Sequence, residues 1–285
     1  MRQDNGRESD NIEDRRGMSA GGKTLAGGGL GMVALAVLAL FMGVDPSIVL
    51  STLGSNILAP KQQSRQAAPS SPQEEKLKKF MSVVLGSTED TWGDIFQKSG
   101  SRYQPPKLVL YNGQIESACG FGEAAMGPFY CPGDQKLYLD MRFFNELSQR
   151  HNAPGDFAQA YVVAHEVGHH VQNLLGIAEQ VQHAMQRGNQ TANNQLQVRM
   201  ELQADCFAGV WANHANQMRS ILEPGDIEEA LAAASGVGDD RLQKQARGYV
   251  VPESFTHGSS AQRMQWFSIG IKTGDPKKCD TFGAG

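Results

Sequence analysis

The 285-residue chain has no excess of basic residues: 26 Lys and Arg stand against 30 Asp and Glu, a formal charge of −4. With no overall positive field to hold a polyanion, nucleic acid is excluded as the main partner. Cysteine is scarce. Four residues are too few for a disulfide scaffold, but they are an even number that two bridges would use up in an oxidising compartment. No C-x-x-C pair occurs, which leaves a structural zinc site of the cysteine kind with little support. Internal repeats are absent, and long hydrophobic runs are missing apart from one, so a multi-span membrane protein is excluded. With 40% hydrophobic and 20% charged residues, the average is that of a water-soluble protein rather than a disordered one.

The one exception is the stretch from Leu25 to Val44, 20 positions without a charge. That is a membrane-spanning length, because a hydrocarbon core of ~30 Å needs about 20 helical residues. Arg2, Arg7, Arg15, Arg16 and Lys23 precede it, and the next bases after it are Lys61 and Arg65. The positive-inside rule then places residues 1–24 in the cytoplasm as a tail and everything after Asp45 outside. No A-x-A cleavage site follows closely, which favours a retained single-pass inner-membrane anchor over a cleaved signal. Residues 45–71 turn to Pro, Ser, Gln and Ala and read as a tether.

A folded domain is expected over 72–285. Ser71-Pro72-Gln73-Glu74 supplies an N-cap, a Pro at the first helical position and an acid at the third, followed by Leu77, Phe80, Met81, Val84 and Leu85 at helical spacing. A second short helix is expected around Trp92, Ile95 and Phe96, then strands over Lys107–Tyr111 and Lys136–Asp140. Further helices are expected near 156–175, 194–218, 226–235 and 259–271. The fold class is therefore α+β, mainly α, with a small sheet and one N-terminal transmembrane helix ahead of it. Outside the cytoplasm the economical cysteine pairing is Cys119 with Cys131, leaving Cys206 for Cys279; the sequence alone permits three connectivities.

The chemistry is carried by Ala164-His165-Glu166-Val167-Gly168-His169-His170. Phe157, Ala160, Tyr161, Ala164, Gly168, Val171 and Leu175 recur at three- and four-residue steps as a buried helical stripe, and His165 and His169 stand at i and i+4 on the adjacent face. Two imidazoles then converge on one point, a geometry that suits Zn²⁺, while Glu166 reaches a water at the metal as general base without being a ligand. His170 points about 100° away and is expected beside the pair or at the surface. A third protein ligand is still needed. The extended H-E-x-x-H-x-x-G-x-x-H pattern fails at Gln172 and Leu175, so that ligand lies elsewhere. Glu201 and Asp205 are one turn apart beside an apolar stripe of Met200, Ala204, Phe207 and Trp211. Glu201 as ligand, with Asp205 accepting the free ring N–H of a ligating His, gives both acids a purpose; the other possibility is a solvated pair on a helix border.

Taken with E-L-Q-A-D-C-F-A-G at 201–209, E-S-F-T-H-G-S-S at 253–260 and the paired C-G…G-P-F-Y-C-P, the H-E-V-G-H-H motif resembles the bacterial putative neutral zinc metallopeptidases over essentially the whole chain. The resemblance implies a zincin-like domain and zinc endopeptidase chemistry, without a substrate. More distantly, the chain is similar to gluzincins of the membrane-associated CAAX-protease and heat-shock-peptidase type. That likeness implies Glu201 as third ligand and Asp205 behind it, and it gives His257 and Arg263 a part in binding the reacting oxyanion, although Gly258 stands where those relatives carry Pro. The expectation is a membrane-anchored zinc metallopeptidase with one Zn²⁺ per chain, acting on protein or peptide outside the cytoplasm. The rival is an anchored, non-catalytic binding or assembly factor in which zinc only cements two helices.

Overall fold

The computed structural model describes residues 1–4, 6–17, 71–123, 127–150 and 153–283. Its first long element is helix α1, Pro72–Lys98, opened by the expected capping box: Ser71 accepts from the Glu74 N–H while the Glu74 side chain accepts from the Ser71 N–H. The helix continues through Trp92 and Phe96 without the expected second start. Gly86 is a place of close passage: a Cβ there would lie 2.6 Å from the Arg7 carbonyl oxygen.

That passage reveals the main correction to the domain plan. Residues 1–16 are not a separate tail; they belong to one unit with 70–285. Strand β1, Ile12–Asp14, pairs in parallel with β2, Lys107–Tyr111, with Ile12 opposite Leu108. Ahead of it, the buried Glu89 carboxylate on α1 accepts from Arg7, Ser9 and Asn11 at 2.6, 2.6 and 2.8 Å.

The remaining strands are β3 (Gln114–Ser117), β4 (Gly120–Glu123), β5 (Phe129–Cys131) and β6 (Lys136–Asp140). Strands β3 and β4 form a separate antiparallel pair. The main sheet has the order β1-β2-β6-β5, parallel except at β5–β6. Both disulfides have the economical pairing, Cys119–Cys131 and Cys206–Cys279.

The helices after the sheet are α2 (Phe143–Arg150), α3 (Asp156–Leu174), α4 (Ile177–Met185), α5 (Gln190–Arg219), α6 (Asp226–Gly236), α7 (Asp239–Arg247) and α8 (Ser260–Thr273). The unit is thus mainly helical with small sheets. Helix α5 is buried on every side from Met200 to Ala212, because α3, α1 and α8 surround it. Trp92 of α1 meets Phe207 edge-on, and Phe157 of α3 stacks on Trp211. Of the α3 stripe, Leu175 alone departs from expectation and is exposed. The expected membrane helix at 25–44 lies outside the described residues; among the described residues no helix is long and apolar enough to cross a membrane.

Candidate metal centre and active site

Helices α3 and α5 are in close contact at Gly168 and Ala204, where the site is built. A Cβ on Gly168 would lie 3.0 Å from both the Cα and the carbonyl oxygen of Ala204, so a larger residue there would push the helices apart. This contact sets the turn bearing His165 and His169 against the turn bearing Glu201 and Asp205. The Nε2 atom of His165 is 3.2 Å from Glu201 Oε2, and Nε2 of His169 is 3.4 Å from Oε1. Ligand atoms about 2.0–2.2 Å from a tetrahedral zinc lie about 3.3–3.5 Å from one another, so these spacings are those of a coordination edge.

Both rings are turned the right way. Asp205 Oδ1 lies 2.8 Å from Nδ1 of His165, and Gln172 Oε1 lies 2.8 Å from Nδ1 of His169. Since carboxylate and amide oxygens only accept, each Nδ1 carries a proton, which leaves Nε2 as the ring atom that can give up its proton and turn a lone pair to a metal at the common point. His165, His169 and Glu201 are therefore a set whose chemistry and spacing fit a zinc ion.

The electrostatics are those of a pocket for positive charge. Burial disfavours a charged His165, yet Asp205 and Glu201 outweigh it and raise its pKa to about 10. Burial is likewise overcome at His169, which Glu201 raises, and at Glu201, which the two histidines hold well below the carboxylate range. Glu166, by contrast, has its pKa raised by burial, partly opposed by the histidines.

Asp205 is fully buried and saturated. It accepts from the Tyr161 hydroxyl, from His165 and from Arg263, whose Nε and Nη2 donate at 2.8 and 2.9 Å. Arg263 thus stands on the Nδ1 edge of His165, with Nη2 3.4 Å from that atom, and not on the Nε2 edge where a reacting oxygen would be. The described contacts of Arg263 are thus with Asp205, Tyr161 and His165.

His257 is half exposed, on a loop organised by Asp239: the backbone N–H groups of Thr256, His257 and Gly258 donate to Asp239 Oδ2 at 2.7, 2.6 and 2.9 Å. Proline at position 258 could not make the last of these bonds, and the φ of +90° there favours glycine. The Asp239 hydrogen bond outweighs burial and raises the His257 pKa, and Glu201 adds to it. His170 is buried, not at the surface. Its ring joins the Gln104 carbonyl and Tyr130 hydroxyl, and burial lowers its pKa. Gln172, Gln203 and Asp239 were not singled out by the sequence; the failed glycine position at Gln172 was the only hint.

A buried, charge-compensated His/His/Glu cage with a carboxylate beside it is a set of groups able to hold a metal ion. The chain belongs to the putative neutral zinc metallopeptidase family, whose model matches residues 1–282. It is 50% identical over 292 residues to the uncharacterized protein YpfJ of Escherichia coli K12, covering 99% of each chain. It is 41% identical over 262 residues to the uncharacterized proteins Mb2605 of Mycobacterium bovis and Rv2575 of Mycobacterium tuberculosis H37Rv, covering 86% of this chain and 85% of theirs. No solved structure matches it.

Proposed function

We propose that the chain is a zinc-dependent endopeptidase, zincin-like and of gluzincin type, with one zinc ion per chain held by His165, His169 and Glu201. What carries this is the convergence of the two Nε2 atoms on Glu201 beside the buried Glu166. When bound, zinc supplies a Lewis acid toward the scissile carbonyl and the attacking water. The chain's residues move the proton. Glu166 takes it from the water and delivers it to the leaving nitrogen, and the raised pKa makes it the better acceptor. No other side chain among the described residues hydrogen-bonds its carboxylate, so both oxygens are free for that traffic. Asp205, clamped by Arg263 and Tyr161, keeps His165 in one tautomer, and His257 offers an imidazole N–H donor to charge developing on the substrate oxygen.

The compartment proposed is extracytoplasmic, because both disulfides belong in oxidising surroundings. Attachment is through the uncharged run at 25–44. Residues 1–16 share the compartment of the domain they pack into.

The test uses the full chain, with metal analysis and a peptide-library cleavage assay on wild type and Glu166→Gln. The expected outcome is equal zinc content, near one per chain, and cleavage lowered by about 10²–10⁴-fold in the variant. Equal cleavage by the two proteins defeats the mechanism. Zinc bound without cleavage by either would make the ion a tie between α3 and α5 in a binding or assembly factor.

A further inference from the structure

A second buried chain of polar groups runs behind His169 and is not used by the proton traffic above. Gln172, one turn along α3, is fully buried. Its Nε2 donates to the Met200 carbonyl at 2.7 Å and to Gln203 Oε1 at 3.1 Å. Both partners are acceptors, so the amide has one consistent orientation, with Oε1 facing His169 Nδ1. The Gln203 amide is fixed in the same way: its Nε2 donates to the Cys279 carbonyl at 2.9 Å. Cys279 ends the short turn Pro276–Cys279 and is tied to Cys206 of α5 by the disulfide. The path from His169 through Gln172 and Gln203 to the Cys279 carbonyl is closed to water, with Gln203 5% and Cys279 0% exposed.

We infer that Gln172 is a positioning residue that fixes the tautomer and tilt of His169, and that Gln203 and the Cys206–Cys279 bridge hold Gln172 in place. The C-terminal turn is thereby part of the metal site. Asp205 does the same for His165, but with a carboxylate. The two ligands therefore differ: the neutral amide orients His169 without adding negative charge to a pocket that already contains Glu201, Asp205 and Glu166. This inference rests on the zinc reading above.

The experiment is zinc affinity of the full-length protein by competition with a chromophoric chelator, together with ¹⁵N imidazole spectra that report which ring nitrogen of His169 carries the proton. Gln172→Met keeps the volume but removes the acceptor. It is expected to weaken zinc by about 10–100-fold, as loss of a ligand's hydrogen-bond partner does, and to remove the single Nδ1–H signature of His169. Gln203→Met is expected to weaken zinc by roughly 3–10-fold in the same direction, because Met200 still holds Gln172. Replacing Cys119 and Cys131 by Ser should leave affinity within about two-fold, since no link to His169 is lost. Affinity within two-fold of wild type in Gln172→Met overturns the inference and leaves the zinc reading standing. Should that variant not fold, the same threshold applies to Gln203→Met. Absence of zinc from the wild type defeats both readings.

Discussion

At the scale of single residues, the feature that decides most is the Asp205 carboxylate, fully buried yet ionised. Burial would raise its pKa, but Arg263 and His165 reverse that and hold it low. Removing the cation leaves a buried anion without its counter-charge, the situation in which breaking a buried pair costs about 3–5 kcal/mol. Arg263→Met should therefore lower stability by about that amount, whereas Tyr161→Phe, which deletes one hydrogen bond to a charged acceptor, should cost about 1.5–3 kcal/mol. Urea unfolding of the two variants checks the order; if Tyr161→Phe proves the more damaging, Arg263 is not the principal partner of Asp205. The part of the site visible in the sequence was the part written in helical periodicity: His165 with His169, and Glu201 with Asp205, each pair one turn apart. Gln172 and Gln203 were not visible, because an amide gains a role only from what stands across from it after α3 and α5 pack. Arg263 was visible by spacing, but its bond to Asp205 was not. Its distance from His257 along the chain says nothing about which edge of His165 it reaches.

At the scale of elements, strand β1 is the piece the sequence concealed. Ile-Glu-Asp is short and mostly charged, with no alternation, and its partner β2 lies more than ninety residues on. A parallel pairing of this kind leaves no local trace. Its attachment is ionic. Glu13 accepts from Lys136 at 2.9 Å and Arg15 at 2.6 Å, and Asp14 from Lys78 at 2.9 Å. Burial would raise the Glu13 pKa, but Lys136 and Arg15 lower it from 4.5 to about 2. A folded pKa below the unfolded one means that this stabilisation is complete above about pH 4.5 and is lost as the pH falls toward 2. Comparison of wild type with Glu13→Gln in urea should show the variant less stable at pH 7, with the gap closing between pH 4.5 and 2. A gap independent of pH would remove the ionic account of how β1 is held. By contrast, the start of α1 and both ends of α3 and α6 were legible to within a residue or two, where capping or periodicity marked them.

At the scale of the whole molecule, the position of residues 1–16 constrains any encounter with a membrane. Arg16 donates to both Asp14 and Glu75, at 2.6 and 2.7 Å, and Glu75 lies in the first turn of α1. The chain therefore departs from the folded unit and returns to it at neighbouring points. A single crossing by 25–44 would leave residues 1–16 on one face of a bilayer and 71–283 on the other, and β1 could then not pair with β2. The positive-inside argument counted charges and had no term for this packing. As long as β1 is paired with β2, residues 1–16 and 71–283 lie on the same side of any membrane. Cysteines introduced singly at the exposed positions Asp10 and Glu228 are expected to show the same reactivity toward a membrane-impermeant maleimide in intact cells, both labelled or both protected. Opposite labelling would mean that the tail and the domain are separated by the membrane, and that β1 leaves the sheet in the cell.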